Sequence, residues 1–207
     1  IDRIGLETSN FSYVTNTVKV EETLPIANHK IGLKKIAQLL MDEKIGVIKS
    51  TSEIFAVGHR VVHGGSYFSD TALITQEVKE EIRELCDLAP LHNPAHLEGI
   101  IVAEEIFADA KQVVVFDTAF HQTMPAVAYK YAIPNFLLTE HKIRAYGFHG
   151  TSHKYVSEKA IDYLKSVDNP YKNIITIHLG NGCSITAIKD GKCIDHSMGF
   201  SPGNGLI

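Results

Sequence analysis

What this 207-residue sequence has little of already narrows it. Cysteine is scarce: Cys86, Cys183 and Cys193 are scattered and none sits in a CxxC pair, which excludes a disulfide framework and suits a reducing compartment. Long apolar runs are missing. No stretch approaches the roughly 18 apolar residues a membrane helix needs, and no charged-then-apolar leader opens the chain, so a soluble, cytoplasmic protein is expected. Excess charge of one sign is missing too. Twenty basic against twenty-four acidic residues give a net charge of -4, which argues against a surface built to neutralise a nucleic-acid backbone. The expected partners are small molecules, with no nucleic acid and no membrane. The chain is 44% hydrophobic, enough to bury a sizeable core, and its length fits one large domain or two small ones. Its ends, Ile1 and the turn-rich Ser201 to Gly205 before Ile207, do not resemble natural termini; a fragment of a longer chain is expected.

Periodicity sets out an α/β chain. Apolar residues alternate between Asn10 and Val20, which predicts a strand or hairpin. Leu33, Ile36, Leu39 and Leu40 recur three or four apart and predict an amphipathic helix from Ile31 to Lys44. Ile54 to Val62 reads as a buried strand running into His63-Gly64-Gly65, and Val78, Ile82 and Leu85 mark a second helix. Asn93 reads as an N-cap and Pro94 as a first-turn proline of a helix to about Ala108. Gln112 to Phe116 predicts a central strand that delivers Asp117 at its C-terminal end, the edge where open α/β sheets bind ligands. Tyr146 to His153 opens a helix carrying Val156, Ala160, Ile161 and Leu164. Ile174 to Leu179 is a strand followed by Gly180-Asn181-Gly182, and Asp190-Gly191 suits a two-residue type I′ hairpin turn.

Several residues stand out chemically. Glycines after a strand let backbone N–H groups approach a phosphate, but a dinucleotide fingerprint needs a third glycine and a helix at once. Ser184 to Ile188 alternates instead, so the loop joins two strands; this excludes the Rossmann and P-loop readings and matches the β-hairpin phosphate loop of actin-like kinases. The bland alternative is that Gly-Asn-Gly is only a turn. Three histidine pairs are spaced four apart: His59 with His63, His92 with His96, and His149 with His153. On one helix face such pairs can hold zinc. The first lies in a strand, where four residues span roughly 13 Å; Pro94 interrupts the second and Gly150 the third, and none has the Glu of a zinc-protease helix. A metal site within the chain is not expected. Arg60, set among Ala56, Val57, Val61 and Val62, requires an anionic partner, whether a buried carboxylate or a bound ligand.

Together these segments resemble the acetate kinase (acetokinase) family. The resemblance rests on GHRVVHGG (58–65), PLHNPAH (90–96), VVFDTAFHQTMP (114–125), YGFHGTSH (146–153), HLGNGCS (178–184) and SMGFSP (197–202), which occur in the family's order. It implies the acetate and sugar kinase, chaperone and actin superfamily, of ribonuclease H-like architecture. Residues 1–120 would be an N-terminal acetate-binding domain lacking its first strand and loop, and 121–207 the beginning of a C-terminal nucleotide-binding domain. The implied reaction is reversible, in-line phosphoryl transfer from ATP to acetate, giving acetyl phosphate and ADP, with Mg2+. By the same resemblance Arg60 binds substrate, Asp117 is the catalytic aspartate, and His149 stabilises the transferring phosphoryl group. Val62, Leu91, Phe148 and Pro202 would enclose the acetate methyl group with His92 beside them, and His178, Leu179, Gly180, Asn181 and Gly182 would hold the nucleotide phosphates.

Acetate is already ionised at neutral pH, because its carboxyl resembles side-chain carboxyls of pKa about 4. No base is needed to activate it, so Asp117 is expected to orient Arg60 or a metal shell, although the family assigns it proton transfer. The family also opens with an Asn-x-Gly-Ser-Ser-Ser loop and continues past Pro202 with Leu-Glu-Gly-Leu and Met-Gly-Thr-Arg, where this chain reads Gly203-Asn204-Gly205-Leu206-Ile207. The 207 residues alone are therefore expected to be a poor or inactive kinase, and the full-length protein a homodimer through the C-terminal domain. The alternatives are a propionate or other short-chain carboxylate kinase, a non-catalytic ligand-binding fragment, and a histidine-based metal hydrolase.

Overall fold

The computed structural model describes residues 1–205; Leu206 and Ile207, the last two residues of the segment that departs from the family's pattern after Pro202, lie outside the described residues. The chain forms two compact units, residues 1–59 with 94–113 and residues 60–93 with 114–207. Its elements mix strand and helix as the periodicity predicts. They are β1 (Ser9–Val14), β2 (Lys19–Leu24), α1 (His29–Leu40), β3 (Ala56–Val61), β4 (Ala72–Leu73), α2 (Gln76–Glu84), α3 (Asn93–Ile106) and β5 (Lys111–Phe116). There follow α4 (Ala126–Tyr129), α5 (Asn135–Thr139), α6 (Gly150–Ser166), β6 (Ile174–Leu179), β7 (Cys183–Lys189) and β8 (Lys192–His196). Among the described residues no helix is long and apolar enough to cross a membrane.

In the first unit, β1 and β2 make the expected antiparallel hairpin, with Ser9 opposite Leu24 and Val14 opposite Lys19. Asn28 caps α1 by accepting the Ile31 N–H at 3.0 Å. The helix stops at Leu40, short of the expected Lys44, because the Asp42 carboxylate accepts the N–H groups of Lys44 (2.8 Å) and Ile45 (3.1 Å) and rolls the chain into a turn. Ala37, Phe107 and Ala110 form a small core with Met41, Ile54, Val57 and Ile106 packed on it.

The second unit carries the residues that the resemblance assigns to the site. The sheet order β3-β5-β4 makes β5 the central strand, and the Asp117 N–H bonds the Val61 carbonyl at 3.0 Å where β5 ends. Thr75 caps α2. A second sheet, β6-β7-β8, is antiparallel throughout, and Gly180-Asn181-Gly182 joins β6 to β7 in the register Leu179 opposite Cys183. Asp190 and Gly191 both adopt positive φ (50° and 76°), the requirement of the type I′ turn. One local reading needs correcting. The Asn93 side chain does not serve as an N-cap: its Oδ1 accepts the His63 N–H (3.1 Å) and its Nδ2 donates to the His63 carbonyl (2.9 Å), thirty residues away. Two buried backbone groups after β3 are satisfied that way, and no local capping hydrogen bond competes with such a pair.

Candidate active site

The strand ends bring the Arg60 and Asp117 side chains together. Arg60 Nε donates to Asp117 Oδ1 at 2.9 Å and its Nη2 to Oδ2 at 2.7 Å, a two-bond guanidinium–carboxylate fork. The pair is asymmetric. The Asp117 side chain is 2% exposed and the Arg60 side chain 60%, so the carboxylate forms the fixed base and the guanidinium the accessible end. The Asp117 hydrogen bonds raise the arginine above its usual range. Because the fork uses both carboxylate oxygens, Asp117 is committed to holding Arg60 in this arrangement.

Asp117 also places the helix that follows. The Gly150 N–H donates to the Asp117 carbonyl at 2.8 Å, and a Cβ on Gly150 would collide with that oxygen. Only glycine lets α6 begin so close to the strand end. The residue before it, His149, takes a left-handed backbone conformation (φ 57°, ψ 25°) as α6 starts. That conformation is uncommon for a side chain larger than hydrogen and costs of order 1 kcal/mol or more, which tertiary contacts must offset.

Those contacts form a chain of hydrogen bonds. Thr176 Oγ1 lies 2.7 Å from His153 Nδ1, His153 Nε2 lies 2.8 Å from Ser184 Oγ, and Ser184 Oγ lies 2.9 Å from His149 Nδ1. The His149 ring stacks on His178 with centroids 4.0 Å apart, and His178 Nδ1 meets Ser152 Oγ at 2.9 Å. Burial, and then the neighbouring His178, hold His149 below the usual imidazole pKa. Burial pushes His153 down to about 3. Both rings are therefore neutral near pH 7. Gly182 closes the arrangement from the loop, since a Cβ there would come within 2.9 Å of the His149 ring.

Below this chain, His121 and His196 pack with centroids 4.1 Å apart and brace the peptide of Phe148 from both sides. His196 Nε2 accepts the Phe148 N–H at 3.1 Å, while His121 Nε2 meets the Phe148 carbonyl at 2.9 Å. The Phe148 ring joins Val62, Tyr146 and Met198 in a buried apolar cluster, with Leu88 and Phe200 packed against it. His63 is wholly buried against Tyr146 (4.4 Å) and Phe148 (5.7 Å).

Arg60, Asp117, His149, His178 and Gly182, together with Val62 and Phe148, thus all fall in one unit. Leu91 does not pack into the apolar cluster but stands 88% exposed, and Pro202 lies partly buried in the turn beyond Phe200. Leu179, Gly180 and Asn181 are exposed at the loop, and His92 is half-buried before α3. Sequence reasoning missed Ser184, Thr176, Tyr146 and Met198. For Ser184 a signal existed: the His149–His153 spacing of four does place both rings on one face, where they share a hydroxyl. Both Asp117 oxygens are engaged, and among the described residues no group of three or more His, Cys, Asp or Glu is arranged to hold a metal ion. The magnesium expected with ATP is therefore not assigned to any residue here.

Comparison with known proteins places this geometry in context. The family model described as the Acetokinase family matches residues 1–207. An acetate kinase of Flavobacterium johnsoniae is 72% identical over all of this chain and 52% of its own length, and one from Symbiobacterium thermophilum is 52% identical over the same shares. The crystal structure of Porphyromonas gingivalis acetate kinase superposes with a TM-score of 0.88 at 46% identity, over 99% of this chain and 51% of that one. A propionate kinase from Francisella tularensis gives the same TM-score, identity and shares. The chain thus spans about half the length of the relatives it matches.

Proposed function

The chain belongs to the acetokinase family, and on that premise we propose that it serves reversible phosphoryl transfer between ATP and acetate, giving acetyl phosphate and ADP. The observation that carries this reading is the Arg60–Asp117 fork, which fixes a guanidinium with an accessible edge; Val62, two residues along the chain, belongs with Phe148 to a buried apolar cluster. An arginine with an accessible edge suits an anionic carboxylate or phosphoryl group, and a small apolar wall suits a methyl group. Leu91, Pro202 and His92 belong to the proposed acetate pocket, and His178 to Gly182 to the proposed nucleotide-phosphate segment. Residues 1–120 and 121–207 are read as the acetate-binding domain and the beginning of the nucleotide-binding domain.

Phosphoryl transfer asks for positioning and charge stabilisation more than for covalent help. The hydrogen-bond chain supplies one such donor. Read from Thr176 towards His149, each hydroxyl proton finds an acceptor: Thr176 donates to His153 Nδ1, His153 Nε2–H to Ser184, and Ser184 to His149 Nδ1. This leaves the His149 proton on Nε2, where a neutral imidazole donates to a phosphoryl oxygen without carrying its own charge. In the opposite direction the Thr176 hydroxyl proton would have no acceptor among its described contacts. Asp117 acts through Arg60, and acetate, already ionised, needs no base. Magnesium, when bound with ATP, neutralises phosphate charge. A homodimer and a cytoplasmic location complete the proposal.

The acetate kinases among the relatives make acetate the first reading, and the Francisella relative's name makes propionate the second. One extra methylene shifts discrimination by about 1–3 kcal/mol. Carboxylate-dependent ADP release by the protein expressed from its complete gene, measured with acetate, propionate and butyrate, should fall in that order. Equal or higher kcat/KM for propionate would transfer the assignment to a propionate kinase, and no carboxylate-dependent ADP release would overturn it.

A further inference from the structure

Away from these groups, the second unit contains a cavity of about 370 Å3 whose walls include Tyr67, Leu85, Leu88, Tyr129, Lys142 and Arg144. No residue proposed above to touch acetate or phosphate lines it. Tyr146 forms part of its wall and, on its other side, belongs to the Val62–Phe148 cluster.

Arg144 is the unusual feature. The residue is only 8% exposed, yet among the described residues it forms no ion pair, and no carboxylate lines the cavity. The face of its guanidinium lies over the Tyr129 ring at 3.8 Å, with Tyr146 at 5.2 Å. Stacking satisfies the face of the group and leaves its in-plane N–H donors still needing acceptors. Nε donates to the Ala145 carbonyl at 3.1 Å, whereas Nη2 is buried without any partner. Native proteins rarely leave a buried charged donor so. Burial accordingly pulls the arginine below its usual pKa. Two residues earlier Lys142 stands at the same cavity, where its ammonium uses one donor on the Thr139 carbonyl at 2.9 Å and keeps two more. Leu85, Leu88 and Leu138 add apolar lining to the same cavity.

We propose that this cavity is a binding site for a small oxyanion, a phosphate or a carboxylate, bound by the Lys142 ammonium and drawn by the positive charge of Arg144. The anion supplies the counter-charge that the protein withholds from Arg144. The site rests on its own geometry and stands whether or not the acetate assignment holds.

Two measurements on the protein expressed from its complete gene test it. Crystals soaked in selenate should show an anomalous peak in this cavity within hydrogen-bond reach of Arg144 or Lys142; a cavity without one overturns the proposal. Calorimetric titrations with inorganic phosphate and with succinate, at fixed ionic strength, identify the source, because the tighter of the two names the ligand class. Arg144→Gln and Lys142→Gln should each weaken that binding at least about tenfold, whereas Arg60→Ala leaves it in place. Binding unchanged in both cavity variants, or binding of neither anion to the unaltered protein, refutes the site. If Arg144→Gln fails to fold, Lys142→Gln and the anomalous map decide alone.

Discussion

At the scale of single residues, the buried Asp117 and the accessible Arg60 divide one task. The carboxylate cannot turn towards substrate without giving up one of its two bonds to the guanidinium, so its effect on chemistry passes through the arginine. Asp117→Asn keeps the shape but replaces one acceptor with an NH2 that faces another donor. We expect kcat to fall about 100-fold, equivalent to about 2.7 kcal/mol, with a raised acetate KM and no change in the form of the pH–rate profile. Steady-state kinetics across pH would show it; a steep new pH dependence with Arg60 still in place would instead make Asp117 a proton-transfer group. Asp117 was legible as an aspartate at a strand's end, whereas Arg60 stood out because its strand was expected to be buried, and β3 is in fact largely exposed with the arginine side chain 60% exposed. The sequence could not show that each is the other's explanation, since their partnership crosses 57 residues and depends on how β3 and β5 are paired. Leu91 illustrates the converse. The resemblance assigns it to the acetate pocket, yet it stands exposed in the turn before α3, so that assignment rests on the resemblance and not on packing.

At the scale of elements, four segments converge on a cluster of imidazoles. His121 comes from the short 3-10 turn after β5, His149 and His153 from the start of α6, His178 from β6, and His196 from β8. Burial pushes His121 down to about 4, His153 to about 3 and His196 to about 2. In the unfolded chain these groups titrate near 6.5, so below that pH the unfolded state binds more protons than the folded one. Their contribution is complete above about pH 6.5 and is lost as the pH falls towards those depressed values. Urea midpoints at about pH 7.5, 6.5 and 5.5 should therefore decline below 6.5 more steeply than one titrating group allows, in a range above that of ordinary carboxylates. A flat midpoint across that range would show that the rings are not held neutral. Strands, helices and the Asp190-Gly191 turn were readable from period and turn chemistry. The imidazole cluster was not, because spacing along the chain reveals neighbours only within one element. The end of α1 at Asp42 and the diversion of Asn93 to His63 were hidden for a related reason: in each, a polar side chain chose a backbone partner that propensity does not name.

At the scale of the whole molecule, every group proposed to touch acetate or phosphoryl oxygen belongs to the second compact unit, with Arg60 fixed by Asp117 and His149 fixed by Ser184. The first unit, with its hairpin and its small core around Phe107, contributes no such group. The proposed chemistry concentrates in the accessible edge of one arginine. The most direct test is acetyl phosphate formation from ATP and acetate, trapped as the hydroxamate, by the protein expressed from its complete gene and by its Arg60→Ala variant. The unaltered protein should form acetyl hydroxamate in proportion to acetate, and the variant should lose at least about 100-fold in kcat/KM while remaining folded. Retention of full activity without Arg60, or an unaltered protein that forms no hydroxamate, would contradict the account.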